Sequence, residues 1–317
     1  MLTFIESLKT KTEIMNILIV ASGNADKISP FVKDQTDALE EKGIIINYFL
    51  IEGKGLRGYF GNYFKLRKKI SEVKPDAIHA HYGLSGLLSV FQRIVPTVIT
   101  FHGSDLNDKK VRPFSLIAHR WAKKSIFVSK KLADIAKYKN ESVIPCGVNF
   151  SVFYPIDKLV ARKKLNLDLQ KKYILFSSAF NNQVKNFPLA KKAIEKIKGN
   201  NIEVLELKGF DRKQVALLMN AVDLALMTSF TEGSPQFVKE AMASNLPVVS
   251  VDVGDVKNVI RGTKHCYITS YDVEEISSKI KVILKDSAKT DGREKILHFN
   301  NETIANQLIE LYKTIIK

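Results

Sequence analysis

Glu232 and Glu240 stand eight positions apart in the run Thr231-Glu232-Gly233-Ser234-Pro235-Gln236-Phe237-Val238-Lys239-Glu240-Ala241. A proline just inside a helix start is well placed, so the spacing predicts a helix over Pro235–Ala243 that opens directly after the first carboxylate. The free N–H groups and positive dipole end at Gly233–Pro235 suit a phosphate. An ionised carboxylate only accepts hydrogen bonds, which matches a neighbouring pair of hydroxyl donors such as those of a sugar. The plainer alternative makes Glu232 a helix cap and Glu240 a solvated position on the helix surface.

His102 is the next candidate. It directly follows an apolar run and precedes Gly103, which permits a tight turn. An imidazole there can donate to a sugar or phosphate oxygen with little tuning. Asp105 either orients His102 or caps the turn, and His81 is a further side chain able to reach a cleft. His79 and His81 are two apart with no carboxylate spacing to complete a metal site, so no metal is expected. Ser22, Gly23 and Asn24 follow another apolar run, where backbone can approach a ligand. A full GxGxxG is absent, which counts against a dinucleotide oxidoreductase.

Short β-branched runs must hold these residues. Strands are predicted at 16–20, 44–50, 76–79, 96–101 and 125–128, with a helix over Pro30–Lys42 that stops at Gly43. The alternation breaks near 145–160 and restarts with strands at 173–177, 202–207, 222–227 and 247–251 and a helix at 188–197. Two α/β domains follow, 1–155 and 156–317, each a doubly wound parallel sheet, facing each other across a cleft. The last helix is expected to be able to pack back on the first domain. Open parallel sheets bind ligands beyond the carboxyl ends of their strands, which is where the candidates cluster.

The run Glu-Gly-Ser-Pro-Gln-Phe-Val-Lys-Glu-Ala-Met-Ala at 232–243 resembles the paired-glutamate motif of glycosyltransferase family 4, which has the GT-B fold. The likeness extends over nearly the whole chain through Asn-Ile-Leu-Ile-Val (16–20), His-Ala-His-Tyr-Gly (79–83), Phe-His-Gly-Ser-Asp (101–105), Val-Ile-Pro-Cys-Gly-Val-Asn (143–149) and Lys-Asn-Phe (185–187). The resemblance implies transfer of a sugar from a nucleotide-sugar donor, UDP- or GDP-linked, to a glycan or lipid-linked acceptor, with retention of configuration and no cofactor or metal. It implies that Glu232 contacts the donor sugar near the reacting carbon, that Glu240 accepts from the ribose hydroxyls and that Lys185 neutralises the diphosphate. Gly233, Ser234, Pro235 and Gln236 then line the donor site together with Ser22 and Gly23. His102 lies at the donor–acceptor junction, with His81 and Asp105 on the acceptor side. One departure stands out: the family commonly carries an arginine about five positions before the lysine, and this chain has Phe180 and Asn181 there. A nucleotide-sugar epimerase or hydrolase of the same fold and a non-catalytic nucleotide-sugar or membrane-binding protein are the competing readings.

The 317 residues carry a formal charge of +16, which invites an anionic partner. No nucleic-acid motif is present, which leaves phosphorylated substrates and membrane. Segment 54–74 interleaves Tyr59, Phe60, Tyr63 and Phe64 with seven Lys/Arg and the single acid Glu72, the composition of an interfacial amphipathic element. Two cysteines, Cys146 and Cys266, form no framework, which points to a reducing compartment. The setting expected is cytoplasmic, peripheral on the cytoplasmic membrane face, in surface polysaccharide or glycolipid synthesis. Residues 1–14 read as an appendage ahead of the first strand.

Overall fold

The computed structural model describes residues 14–23, 28–53, 55–137, 142–197, 201–286 and 289–316. The predicted appendage lies almost wholly outside these residues, as do Asn24 and Lys54. Six parallel strands form the first sheet: β1 (Asn16–Ser22), β2 (Ile45–Ile51), β3 (Ala77–His81), β4 (Thr97–Phe101), β5 (Lys124–Phe127) and β6 (Ser142–Val143), in the order β2-β1-β3-β4-β5-β6. Five more form the second: β7 (Lys172–Phe176), β8 (Ile202–Glu206), β9 (Leu224–Met227), β10 (Val248–Val251) and β11 (Cys266–Thr269), in the order β11-β10-β9-β7-β8. The fold is GT-B-like. Several boundaries differ from the sequence reading by one or two residues, and β6 and β11 escaped it because they are short and carry no alternation.

Both sheets are covered on both faces, so the inner strands β1, β4, β7, β9 and β10 are largely apolar instead of alternating. In β1, Leu18 and Val20 pack into one core with Ile78, Leu87 and Phe127, while Ile17 and Ile19 pack into the opposite core. That opposite core takes in Ile304, Leu308, Leu311 and Tyr312 from the last helix, Asn301–Lys313. The final helix of the chain therefore closes the first domain, lying against the helix Pro30–Glu41.

In each domain the chain winds outward in both directions from a central strand pair, β1 with β3 and β7 with β9. The crevice beyond the carboxyl ends of such a pair is where these sheets accept ligands, because the flanking loops there diverge. The chain passes between the domains twice, side by side: Val148 N–H donates to Phe299 O at 2.8 Å and Asn301 N–H to Val148 O at 3.2 Å.

Residues 55–74 form two helices, Gly55–Phe60 and Tyr63–Val73. Asn62 separates them, its buried amide donating to Glu52 O at 2.8 Å and Gly58 O at 2.7 Å. Tyr59 and Tyr63 turn inward against the core, and Phe60 and Phe64 stay exposed. Among the described residues, no helix is long and apolar enough to cross a membrane.

Candidate active site

A cleft of about 920 Å³ opens between the two domains. That is within the range of about 300–1,000 Å³ usual for small-ligand sites. Its walls include Glu232, Gly233, Ser234, Pro235, Gln236 and Glu240 from the loop after β9 and the helix that follows, Lys185 from the loop after β7, and His102 from the end of β4. The helix runs Gln236–Ala243, one residue shorter than predicted, with Pro235 as its cap. Lys185 ends a 3-10 turn, Gln183–Lys185, and its ammonium donates to Glu232 Oε1 at 2.6 Å. Thr228, just after β9, donates to the carbonyls of Lys185 and Asn186 at 3.1 and 2.9 Å, tying the two loops together. Phe180, in the place of the missing arginine, stacks on Phe187 at 3.9 Å between ring centres.

Across the cleft, His102 sits between Phe31 and Tyr82, with ring centres 5.0 and 4.6 Å away. Tyr82 holds a positive φ of 70°, an uncommon and strained conformation for a non-glycine residue. Behind His102 lies a column of rings. His102 Nε2 meets His81 Nδ1 at 3.0 Å, His81 stacks on His79 at 4.6 Å, and His79 bonds Tyr312 Oη at 2.6 Å and Thr100 Oγ1 at 2.7 Å. Burial depresses all three imidazoles, His81 to about 3. All are therefore neutral near pH 7, so each ring presents one donor and one acceptor nitrogen.

Four of the candidates, His81, Asp105, Ser22 and Gly23, are not among the residues that line the cleft. His81 is fully buried and Asp105 nearly so, and neither lines the cleft. His81 backs His102 because residues i and i+2 of a strand share a face, which stacks it on His79. Asp105 accepts from the backbone N–H groups of His102, Gly103 and Gly83 and so fixes the turn that carries His102. Ser22 ends β1 and Gly23 follows it; neither lines the cleft, and the Gly23 N–H donates to Ile51 O at 2.8 Å. From that side the helix start at Pro30 and Phe31 reaches the cleft instead.

The model described as Glycosyltransferase Family 4 matches residues 27–152, and that described as Glycosyl transferases group 1 matches residues 186–286. The chain belongs to the family 4 glycosyltransferases. This glycosyltransferase is 28% identical over 288 residues to a protein of Bacillus subtilis (strain 168) named as a teichuronic acid biosynthesis glycosyltransferase, covering 78% of this chain and 73% of that one. Its fold is similar to that of a sucrose-phosphate synthase from Thermosynechococcus elongatus, with a TM-score of 0.80, 18% identity and 95% and 98% of the two chains covered. It is also similar to the Anabaena protein HepE solved in complex with UDP, with a TM-score of 0.74, 17% identity and 95% and 100% covered.

Two cations of the glycosyltransferase site escaped the sequence reading. Arg212 opens the helix Arg212–Ala221 after β8 and lines the cleft. Its guanidinium pairs with Glu240 and, across the domain boundary, with Asp34, while lying 4.5 Å over the Phe153 ring. Glu240 is thus buried and ion-paired, not a solvated surface position; burial raises its carboxyl and Arg212 pulls it back. Lys239 is fully buried and donates to Cys146 O at 2.6 Å and to Ser234 Oγ at 3.2 Å, and Ser234 in turn donates to Asp255 at 2.6 Å. Gln236 spends its amide on Gly147 O at 2.7 Å. Gln236 and Lys239 therefore hold the Gly147 and Cys146 carbonyls of the first domain while Glu232 and Glu240 line the cleft. Nothing in the sequence separates Lys239 or Arg212 from the many surface lysines and arginines.

A capping box supports the position of Arg212. Asp211 accepts from Gln214 N–H at 2.9 Å and Gln214 accepts from Asp211 N–H at 2.9 Å. Asp211→Ala is expected to cost about 1 kcal/mol, a shift of only a few degrees in thermal melting, because it unmakes one cap.

Proposed function

We propose that this glycosyltransferase moves a sugar from a UDP- or GDP-linked donor to a glycan or lipid-linked acceptor, with retention of configuration and without a bound metal, in surface polysaccharide synthesis. The observation that carries the reading is the single cleft that gathers Glu232, Lys185 and Glu240 from one sheet and His102 from the other. In this reading Lys185 offsets the charge that builds on the leaving diphosphate as the glycosidic bond breaks. Arg212 is the second cation within reach, which supplies a candidate for the arginine missing at Phe180 and Asn181. Glu232 stabilises the oxocarbenium-like sugar, and neutral His102 donates a hydrogen bond to a sugar oxygen at the junction with the acceptor. The leaving phosphate itself takes the acceptor proton, so no side chain is assigned as a covalent nucleophile. The names of the Bacillus relative, for teichuronic acid, and of the UDP complex of HepE support the polysaccharide setting and a uridine nucleotide.

A thermal-shift panel of UDP, GDP, ADP and CMP with their sugar conjugates tests the donor site. A nucleotide at 100 times its dissociation constant adds about 2.7 kcal/mol, several degrees for a chain of this size. One nucleotide should give that shift, and Glu240→Ala should abolish it by removing the buried acceptor for the ribose. The same shift in Glu240→Ala as in the unaltered protein would move the nucleotide elsewhere.

A further inference from the structure

We propose, resting on the transferase reading above, that Lys239 is a positioning residue whose buried ammonium fastens the peptide behind His102 to the loop that carries Glu232. Lys239 lies on the helix Gln236–Ala243, one position before Glu240, and is fully buried, yet it is not among the residues that line the cleft. Its neighbours on that helix, Phe237, Val238, Ala241 and Met242, all belong to the core of the second domain. An apolar side chain would extend that core, whereas an ammonium must be stripped of water to enter it. Both of its hydrogen-bond partners are uncharged: Cys146 O at 2.6 Å and Ser234 Oγ at 3.2 Å. Asp255 stands one link further on, accepting from Ser234 Oγ at 2.6 Å. The Phe299 ring covers a third side, with its centre 5.3 Å from Nζ. Stability alone would favour an apolar residue at 239, because a buried charge seldom recovers its desolvation. What the ammonium adds is direction.

Each partner of the ammonium is one contact away from the reacting groups. Cys146 Sγ lies 3.5 Å from His102 Nδ1. Ser234 follows Gly233, which approaches His102 so closely that a Cβ there would stand 2.0 Å from His102 O. One side chain therefore holds both halves of the site in register. Gln236 supports it from the same helix by donating to Gly147 O at 2.7 Å. Two consecutive carbonyls, 146 and 147, are thus taken by one helix, and the first domain cannot slide along it without breaking one of these bonds. Phe299 belongs to the other passage between the domains, where its carbonyl accepts from Val148 N–H at 2.8 Å, so Lys239 sits where both passages meet the helix of the paired glutamates. The pair Lys131–Asp252 also crosses the boundary at 3.1 Å, but both side chains are exposed, which leaves it weak. Without the ammonium the Cys146 carbonyl is left unpaired and the peptide beside His102 is freed. The expected consequence is a shift of His102 relative to Glu232, while Glu240 and Lys185 keep their places on the second domain.

Lys239→Met keeps nearly the same length and volume and removes both the charge and the donor. Small-angle X-ray scattering of the full chain without ligand reads how closely the domains approach, and steady-state kinetics beside titration with UDP and GDP reads the consequence. Lys239→Met should give a larger radius of gyration than the unaltered chain and turnover lowered at least about tenfold, with nucleotide affinity within about threefold. Its melting temperature should stay within about 5 °C, since the lost bond to Cys146 O is offset by relief of a buried charge. A lysine that only supports the core would show the opposite split, a lowered melt with turnover unchanged. Equal radii or equal turnover would overturn the proposal, as would a melting temperature lowered by more than about 10 °C. Scattering needs no substrate. An unaltered chain that transfers no sugar therefore defeats the transferase reading alone, while the two radii still decide whether Lys239 fastens the domains.

Discussion

Glu232→Gln is expected to lower turnover by about 10²–10³-fold while leaving nucleotide affinity within about threefold of the unaltered enzyme. The side chain is enclosed, only 13% exposed, and held by Lys185 at 2.6 Å at the mouth of the helix that carries Glu240. Glutamine keeps the shape and removes the charge, so what is lost is the interaction with a sugar that turns cationic as its bond to phosphate breaks. That interaction strengthens toward the transition state, which is why it should appear in turnover and not in ground-state binding. Lys185 loses its partner in the variant yet keeps its own charge for the diphosphate, which preserves nucleotide affinity. Steady-state kinetics beside nucleotide titration reads both quantities, and equal losses in the two would reject the role.

The second large effect comes from a residue with no side chain. Gly233→Ala places a Cβ 2.0 Å from His102 O and 3.1 Å from Gly103 Cα, and both are backbone atoms of the opposite domain. Gly103, at φ 124°, and Gly254, at φ 60°, press on Gly233 from two further sides, each within 2.8 Å of Gly233 backbone atoms if given a Cβ. None of these atoms is the flexible end of a side chain, so the two loops must part by about an ångström, a misplacement worth on the order of a hundredfold in rate. The cores of both domains lie elsewhere, and the melting temperature should therefore hold. Turnover close to that of the unaltered enzyme would mean that the approach of Gly233 to His102 is unnecessary for transfer.

Gly233 marks where reading the sequence stops being enough. As a small residue after Glu232 it was legible as part of a turn, because helix starts are written locally in proline, glycine and polar residues. Its contact with His102 spans the two domains and has no local signature. His81 fails in the same way: its place at a strand end was visible, but the stack with His79 and His102 that draws it inward depends on how β3 and β4 pair.

The sequence alone determined nine strands of the alternation in outline, the two α/β halves, the helix that opens after Glu232, and Lys185 in the loop following the first strand of the second half. Each follows from hydrophobic period, turn chemistry or a short run of residues, and each is a matter of near neighbours in the chain. The tertiary structure decided the rest. It brought Arg212 to Asp34, 178 positions away, and the same guanidinium to Glu240. It turned Lys239 inward onto the Cys146 carbonyl and laid the last helix on the first sheet. Those outcomes rest on how two finished domains close on one another, and the partner of a buried charge is whichever group that closure leaves nearest.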